Sequence, residues 1–333
     1  MSDGHIRELM REFQEGRLPR RQFIAKLLAA GLTMPAVAGV IAACGGGGTT
    51  STPSTSGGGA GAPATQAPAA GASPAAGAAQ ASGFTPTKRG GGGTLKLLWW
   101  QAVSVLNNHL STGTKDQDGS RLFLEPLASI DQDGNIVPIL AAEAPSVAKN
   151  TLDKDGKFVI WKLKPNVTWH DGQKFTADDV VFTFQYASDP DTAATSSGAY
   201  TNVASVEKVD DLTVKVNFKS PTLEWTAPFV SNNGLILPKH VHEKFKGKES
   251  RNAPANLKPV GTGPYKIVEF RPNDIVIAEI NDKYHVENRP FFDRVEMKGG
   301  GDAVSAARAT LQTGEYDYAW NLQVPGDQLD RLE

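Results

Sequence analysis

The feature that most constrains this chain is the stretch from Gly45 to Gly93, built almost entirely from Gly, Ala, Ser, Thr and Pro. That composition has too little apolar bulk to offset the entropy of ordering it, so no core forms there. About 49 residues of random coil have an r.m.s. span of roughly 35 to 40 Å, which suits a tether rather than a domain. Folding is therefore left to the part that follows from Thr94, about 240 residues, enough to bury a real core as one large domain or as one and a half ordinary ones. The run Gly90 to Gly93 leads into a strand and not a helix, so it reads as the end of the tether rather than a phosphate cradle.

Before the tether, three physically different segments follow one another. Met1 to Arg21 carries charges of both signs and closes on Pro19, Arg20, Arg21, Gln22, Phe23, Ile24, Ala25 and Lys26, which resembles a twin-arginine export motif. Leu27 to Ala43 has no charge but is diluted by Gly31, Pro35 and Gly39. It falls short of the roughly 20 apolar residues of a spanning helix and reads as a signal-peptide core. Ile41, Ala42, Ala43 and Cys44 are similar to a lipobox, with Cys44 as the acylated first residue of the mature chain. Cys44 is the only cysteine, and the glycines after it cannot bury it as an inert thiol. A single acyl chain binds membranes marginally, whereas the several chains of a lipoprotein cysteine hold firmly.

The charge balance of −2 leaves no basic stripe for nucleic acid. From Thr94 to Trp100 the sequence TLKLLWW is apolar on both faces and predicts a buried strand, followed by a loop rich in Ser, Asn and Gly. Lys157 to Leu163 is a second strand entered through a turn at Asp153 to Gly156. Thr176 and Asp179 form a capping box ahead of a helix with Val180, Val181 and Phe184 as its stripe. Tyr200 to Val209 and Leu212 to Phe218 read as a hairpin, and Gly263 to Phe270, Ile275 to Ile280, Arg294 to Lys298 and Tyr316 to Trp320 as strands. Between the last two, Asp302 caps a helix that ends at Gly314 and has Val304, Ala307 and Leu311 on one face. This strand, helix, strand unit implies a parallel pair and an α/β core.

Other chemistry finds little support. Asp116, Asp131 and Asp153 each begin an Asp-x-Asp-Gly-like pattern, but none continues to a calcium loop's final glutamate, so surface turns are expected and no metal site. His240 and His242 are two apart at a helix start, point to different faces, and read as satisfied surface histidines. No Gly-x-Ser-x-Gly elbow occurs, and nothing pairs two carboxylates in one site, so neither an enzyme nor a bound cofactor is expected. Gly261 to Tyr265 reads as a tight turn before a strand.

Leu163 to Gly172 (LKPNVTWHDG) runs into Phe175 to Phe182, and Pro259 to Tyr265 (PVGTGPY), Asn281 to Tyr284 with Phe292 to Val295, and Leu311 with Gly314 to Asp317 follow in that order. This order of segments resembles the family 5 extracellular solute-binding proteins of ABC importers, which include dipeptide- and oligopeptide-binding proteins. It implies an α/β fold of the type II periplasmic-binding-protein kind, with two lobes closing on a ligand and an α+β subdomain inserted in the first. On this reading residues 1–43 are the signal peptide, 44–93 the disordered tether, 94–125 with 257–333 the first lobe, and 126–256 the insertion, with the second lobe absent. Family members are considerably longer. The resemblance further implies a monomer lipid-anchored at the outer face of the cytoplasmic membrane, in the periplasm or cell envelope, that captures a peptide or similar small solute for ABC permease subunits. A non-transport surface lipoprotein or a truncated product is the competing expectation. Ligands of open α/β sheets sit beyond the carboxyl ends of the strands, which nominates Trp99, Trp100, Gln101 and Ala102 after the first strand, and Trp320 and Asn321 after the last. Trp100 or Trp320 would offer a flat wall with an indole donor, whereas Trp161, Trp169 and Trp225 are expected in the core.

Overall fold

The computed structural model describes residues 87–322 and 324–326. The export residues Arg20, Arg21 and Phe23, the lipidation candidate Cys44 and most of the tether lie outside the described residues. Among the described residues no helix is long and apolar enough to cross a membrane.

The first strand, β1 (Thr94–Trp99), lies second from one edge of a five-stranded sheet. Side chains alternate across a strand, and β1 uses that alternation to serve two layers. Leu97 and Trp99 enter a core with residues of β8 (Ile275–Ile280) and β9 (Arg294–Gly299), while Leu98 packs on the opposite side with Ala306 and Ala319. The sheet order is β10-β1-β9-β8-β7, with β7 at Tyr265–Arg271 and β10 at Tyr318–Ala319. Both β9 and β10 run parallel to β1, and β7, β8 and β9 are antiparallel neighbours. The expected parallel strand, helix, strand unit is therefore present, but its two strands are not adjacent: β1 lies between them. The crossover helix α3 (Ala303–Leu311) begins where Asp302 Oδ1 accepts from the amides of Val304 (2.9 Å) and Ser305 (3.0 Å). Its buried face is Ala306 and Ala307, whereas Leu311, expected to be inward, is 58% exposed. Small residues let the helix lie close against β1.

A second, three-stranded antiparallel sheet has the order β4-β6-β5, formed by β4 (Phe158–Lys162), β5 (Val203–Asp210) and β6 (Thr213–Phe218). A two-stranded ribbon, β2 (Ala128–Ile130) with β3 (Ile136–Pro138), precedes it. The turn into β4 forms as the sequence predicts: Asp153 accepts from the amides of Asp155 and Lys157, and Gly156 has a positive φ of 70°. The helix α2 (Ala177–Ser188) is the element common to both cores. Asp179 reaches back to the Thr176 amide at 2.9 Å and also accepts from the Lys239 amide and the Trp169 indole. Val180 and Ala187, with Val181 and Phe184 partly buried, pack against the three-stranded sheet; Phe182 and Tyr186 pack into the core of the five-stranded sheet. The helix thus has two apolar sides rather than the single stripe expected.

The ordered hydrogen bonds reach back beyond Thr94, where folding was expected to begin. Arg89 donates to the carbonyls of Asp282, Tyr284, Val286 and Arg289, and Asp293 accepts from the amides of Gly91 and Gly93.

Candidate functional site

Because β1 and β10 are parallel, their carboxyl ends emerge side by side, with Leu98 opposite Ala319 and the Trp320 amide bonded to the Leu98 carbonyl at 2.9 Å. That register brings together three indoles. Trp99 stacks on Trp320 with centroids 5.3 Å apart and planes at 21°, and Trp100 is tilted against Trp320 at 6.5 Å. Buried indole N–H groups need acceptors, and each finds one: Trp99 donates to the Lys115 carbonyl (3.2 Å), Trp100 to the Asn321 carbonyl (3.0 Å) and Trp320 to Asp118 Oδ2 (3.0 Å).

In front of this cluster opens a cavity of about 670 Å³. Of the six residues nominated from the sequence, Gln101, Trp320 and Asn321 line it. Trp99 and Trp100 stand behind as packing, and Ala102 is turned toward Gly299, where an added Cβ would come within 2.3 Å of its own. The rest of the lining comes from Tyr318 and from the segment Thr112 to Asp118, including Lys115. Here the expected loop contains a helix, α1 (Thr114–Ser120).

The Asp-x-Asp-Gly pattern at Asp116 was expected to be a surface turn; it is instead part of α1, and Asp116 is wholly buried. Its carboxylate accepts from the Ser104 amide (2.7 Å), the Thr112 amide and hydroxyl (3.0 Å each) and Lys115 Nζ (2.8 Å). Burial opposes ionisation of Asp116, but the Lys115 ammonium and the two amides outweigh it and hold the carboxyl below its ordinary range. The buried ion thereby ties the loop after β1 to α1 and fixes the cavity floor. Asp131 and Asp153 do sit in turns, and among the described residues no metal-ligand cluster occurs. The pattern at Asp116 was the only sequence signal for this part of the site, and its meaning depended on which side chains the fold brought around it.

A second polar cluster was not foreseen. Glu125, 6% exposed, accepts from Thr262 Oγ1 (2.9 Å) and the Tyr284 hydroxyl (2.7 Å) and bonds His285 Nε2 (3.0 Å). Burial and the Glu125 charge push the Tyr284 phenol far up. Nearby, Gly261 and Gly263 lie so close to the Phe123 carbonyl that a Cβ at Gly261 would stand 1.7 Å from it. The Gly-Thr-Gly sequence is required by this close approach of backbones, beyond any turn preference. His242, expected at the surface, is 2% exposed, and burial, with the neighbouring His109 and His240, pulls it down to about 4. His240 keeps a surface position and bonds Asp171 at 2.7 Å.

The mixed α/β fold resembles that of periplasmic binding proteins. The structure of the Bacillus subtilis oligopeptide-binding protein AppA in complex with a nonapeptide aligns with a TM-score of 0.65 at 28% identity, covering 75% of this chain and 47% of that one. In sequence, AppA is 32% identical over 221 residues, and the glutathione-binding protein GsiB of Pectobacterium atrosepticum 30% identical over 217 residues; each match covers 65% of this chain. The chain spans 38% and 39% of the length of these two relatives. Residues 135–332 match the bacterial extracellular solute-binding proteins, family 5 Middle, and the chain belongs to this family.

Proposed function

We propose that the chain is the solute-binding component of an ABC importer, and that it captures a peptide or similar small solute in the cavity at the ends of β1 and β10. The observation that carries this reading is the convergence of Gln101, Trp320 and Asn321 on one cavity in a chain of this family. Trp320 supplies a flat wall, while Gln101, Lys115, Asp118 and the Asn321 side chain supply donors and acceptors for an extended peptide's main chain. Residues 94–125 with 257–333 act as one lobe carrying 126–256 as an insertion. Solute binding shifts the population toward a closed form that the permease subunits read. The protein works as a monomer outside the cytoplasmic membrane, exported through the signal containing Arg20, Arg21 and Phe23 and held by lipid on Cys44.

Titration with the tripeptide Ala-Ala-Leu, followed by calorimetry and by indole fluorescence, tests the binding reading. Saturable heat with a fluorescence change that is absent in Trp320→Phe supports it; no saturable heat with this or longer peptides overturns it. For the anchor, Cys44→Ser should release the protein from cells carrying it, and unchanged membrane retention would refute lipidation there.

A further inference from the structure

The loop between β8 and β9, residues 281–293, is held by the segment that precedes β1. Arg89 lies over it, with Nε donating to the carbonyl of Arg289, Nη1 to that of Asp282, and Nη2 to those of Tyr284 and Val286. Four carbonyls converging on one side chain need a planar fork of donors, which a guanidinium has and an ammonium lacks. The glycines that follow complete the join. Gly90 and Gly92 donate to the carbonyls of Pro290 (2.9 Å) and Phe291 (3.1 Å), and the Gly91 and Gly93 amides donate to the two oxygens of the Asp293 carboxylate (2.8 and 2.9 Å). That last pair forms because Gly90, Gly91 and Gly93 have φ of 67°, 83° and 71°, a curl of backbone whose amides surround an anion. The two amides hold the Asp293 carboxyl below its ordinary range. Gly92 lies so close to the Phe291 ring that a Cβ there would stand 2.5 Å from it. On its inner side the loop is fastened as well, because Tyr284 and His285 both reach the buried Glu125.

We propose that residues 88–93 are a latch that joins the tether to the folded body and shields the junction from proteases that cut after basic residues. From Gly45 to Thr87 the sequence carries no charged residue, so Lys88 and Arg89 are the first such cutting sites after Cys44. A protease must draw several residues on both sides of a bond into extended form, and docked backbone resists this. Beyond Lys88 the chain is docked: Lys88 is exposed, Arg89 half-buried and Gly90 buried. The Lys88 side chain also folds back, its Nζ 2.8 Å from where a Cβ on Gly91 would stand. Cleavage therefore requires the latch to open, and its rate follows the population of the open form. The latch also fixes where the chain enters the sheet. Gly93 leads into the amino end of β1, about 17 Å of strand away from Trp99 and the cavity beyond it. The join is thus made at the end of β1 away from the cavity, and the role does not depend on the solute-binding reading.

The test is timed digestion of the 333-residue chain with trypsin, scored by mass spectrometry for fragments that begin at residue 89 or 90. The variant Ala76→Lys supplies a reference site in the uncharged stretch. The native junction should be cut at least about tenfold more slowly than that reference. Arg89→Gln keeps Lys88 but removes the fork, and Gly92→Val drives a side chain into Phe291. Each should speed cleavage after Lys88 by about tenfold or more. Cleavage within residues 94–333, followed in the same digests, separates a local latch from general unfolding. A rise confined to the junction supports the latch, whereas an equal rise throughout 94–333 would overturn it. Native cleavage at the junction within about twofold of the reference site would overturn the proposal without recourse to the latch variants. So would junction cleavage in both latch variants that is no faster than in the native chain.

Discussion

The two sheets of this protein meet their packing requirements differently. The three-stranded sheet is closed over its core: Trp161, Trp169, Tyr200 and Phe229 are all essentially sealed. The five-stranded sheet is closed along its length but open at its carboxyl end, where Trp320 both stacks in the core and walls a cavity. Parallel strands bring their ends, and the polar backbone that follows them, to one edge, whereas antiparallel hairpins return the chain immediately. The open end is where the hydrogen-bonding side chains collect, and the closed sheet carries none of the cavity residues. One region is filled by its own side chains, and the other leaves a cavity at its strand ends.

The sharpest way to break this contrast is at the backbone contact between Gly261 and Phe123. Gly261→Ala forces a Cβ into a carbonyl oxygen, and a loss of more than about 5 kcal/mol is expected, placing it among the exceptional single substitutions. Urea unfolding, or failure to recover soluble protein, measures it; near-native stability would mean the approach relaxes easily. Next comes the closed core. Trp161→Ala should cost about 4 kcal/mol by cavity formation, with Trp99→Ala, at the open end, costing about 3 kcal/mol. Because the Trp161 indole nitrogen has no hydrogen-bond partner among the described residues, Trp161→Phe should recover most of the loss. Equal costs for Trp161→Ala and Trp99→Ala would erase the distinction between closed and open regions.

Acid should act on the junction between the regions. His109 and His242 flank Tyr186 of α2, with ring centroids 6.1 and 6.0 Å away, and burial lowers each to about 4. Since protons bind the unfolded chain first, the stability these groups contribute is fully present above pH 6.5 and is lost as pH falls toward 4. Between neutrality and pH 5 each histidine should remove on the order of 2 kcal/mol, and His242→Leu should flatten its share of the pH dependence seen in chemical unfolding. An unchanged pH profile would argue that His242 stays neutral without cost. The smallest effect on folding is expected at the cavity: Asp118→Asn should shift stability by less than about 0.5 kcal/mol while altering ligand preference. A large thermal shift would show that Asp118 is part of the packed region after all.

Much of the fold was readable from local pattern. The strand at Ile275–Ile280, the turn at Asp153 to Gly156, the capping box of Thr176 and Asp179 and the cap at Asp302 each depend on patterns or hydrogen bonds within a few residues, and each forms. The same logic misplaced Leu311, Asp116 and His242, because burial of one residue depends on what a distant segment brings to it. Leu311 belongs to an apolar stripe by spacing, yet β1 receives the small alanines instead.

Composition and order of residues by themselves determined where the turn at Asp153 to Gly156 and the caps at Thr176 and Asp302 fall, and that the ends of the first and last strands hold tryptophans. Only the tertiary structure decided that β1 lies between β9 and β10, so that Trp99 and Trp320 meet across more than two hundred residues of chain. It alone decided that Asp116 is sealed while Asp118 faces a cavity. The physical reason is range: a turn or a cap is closed by neighbours in sequence, whereas a cavity is the space left between segments that meet only after the sheet has formed.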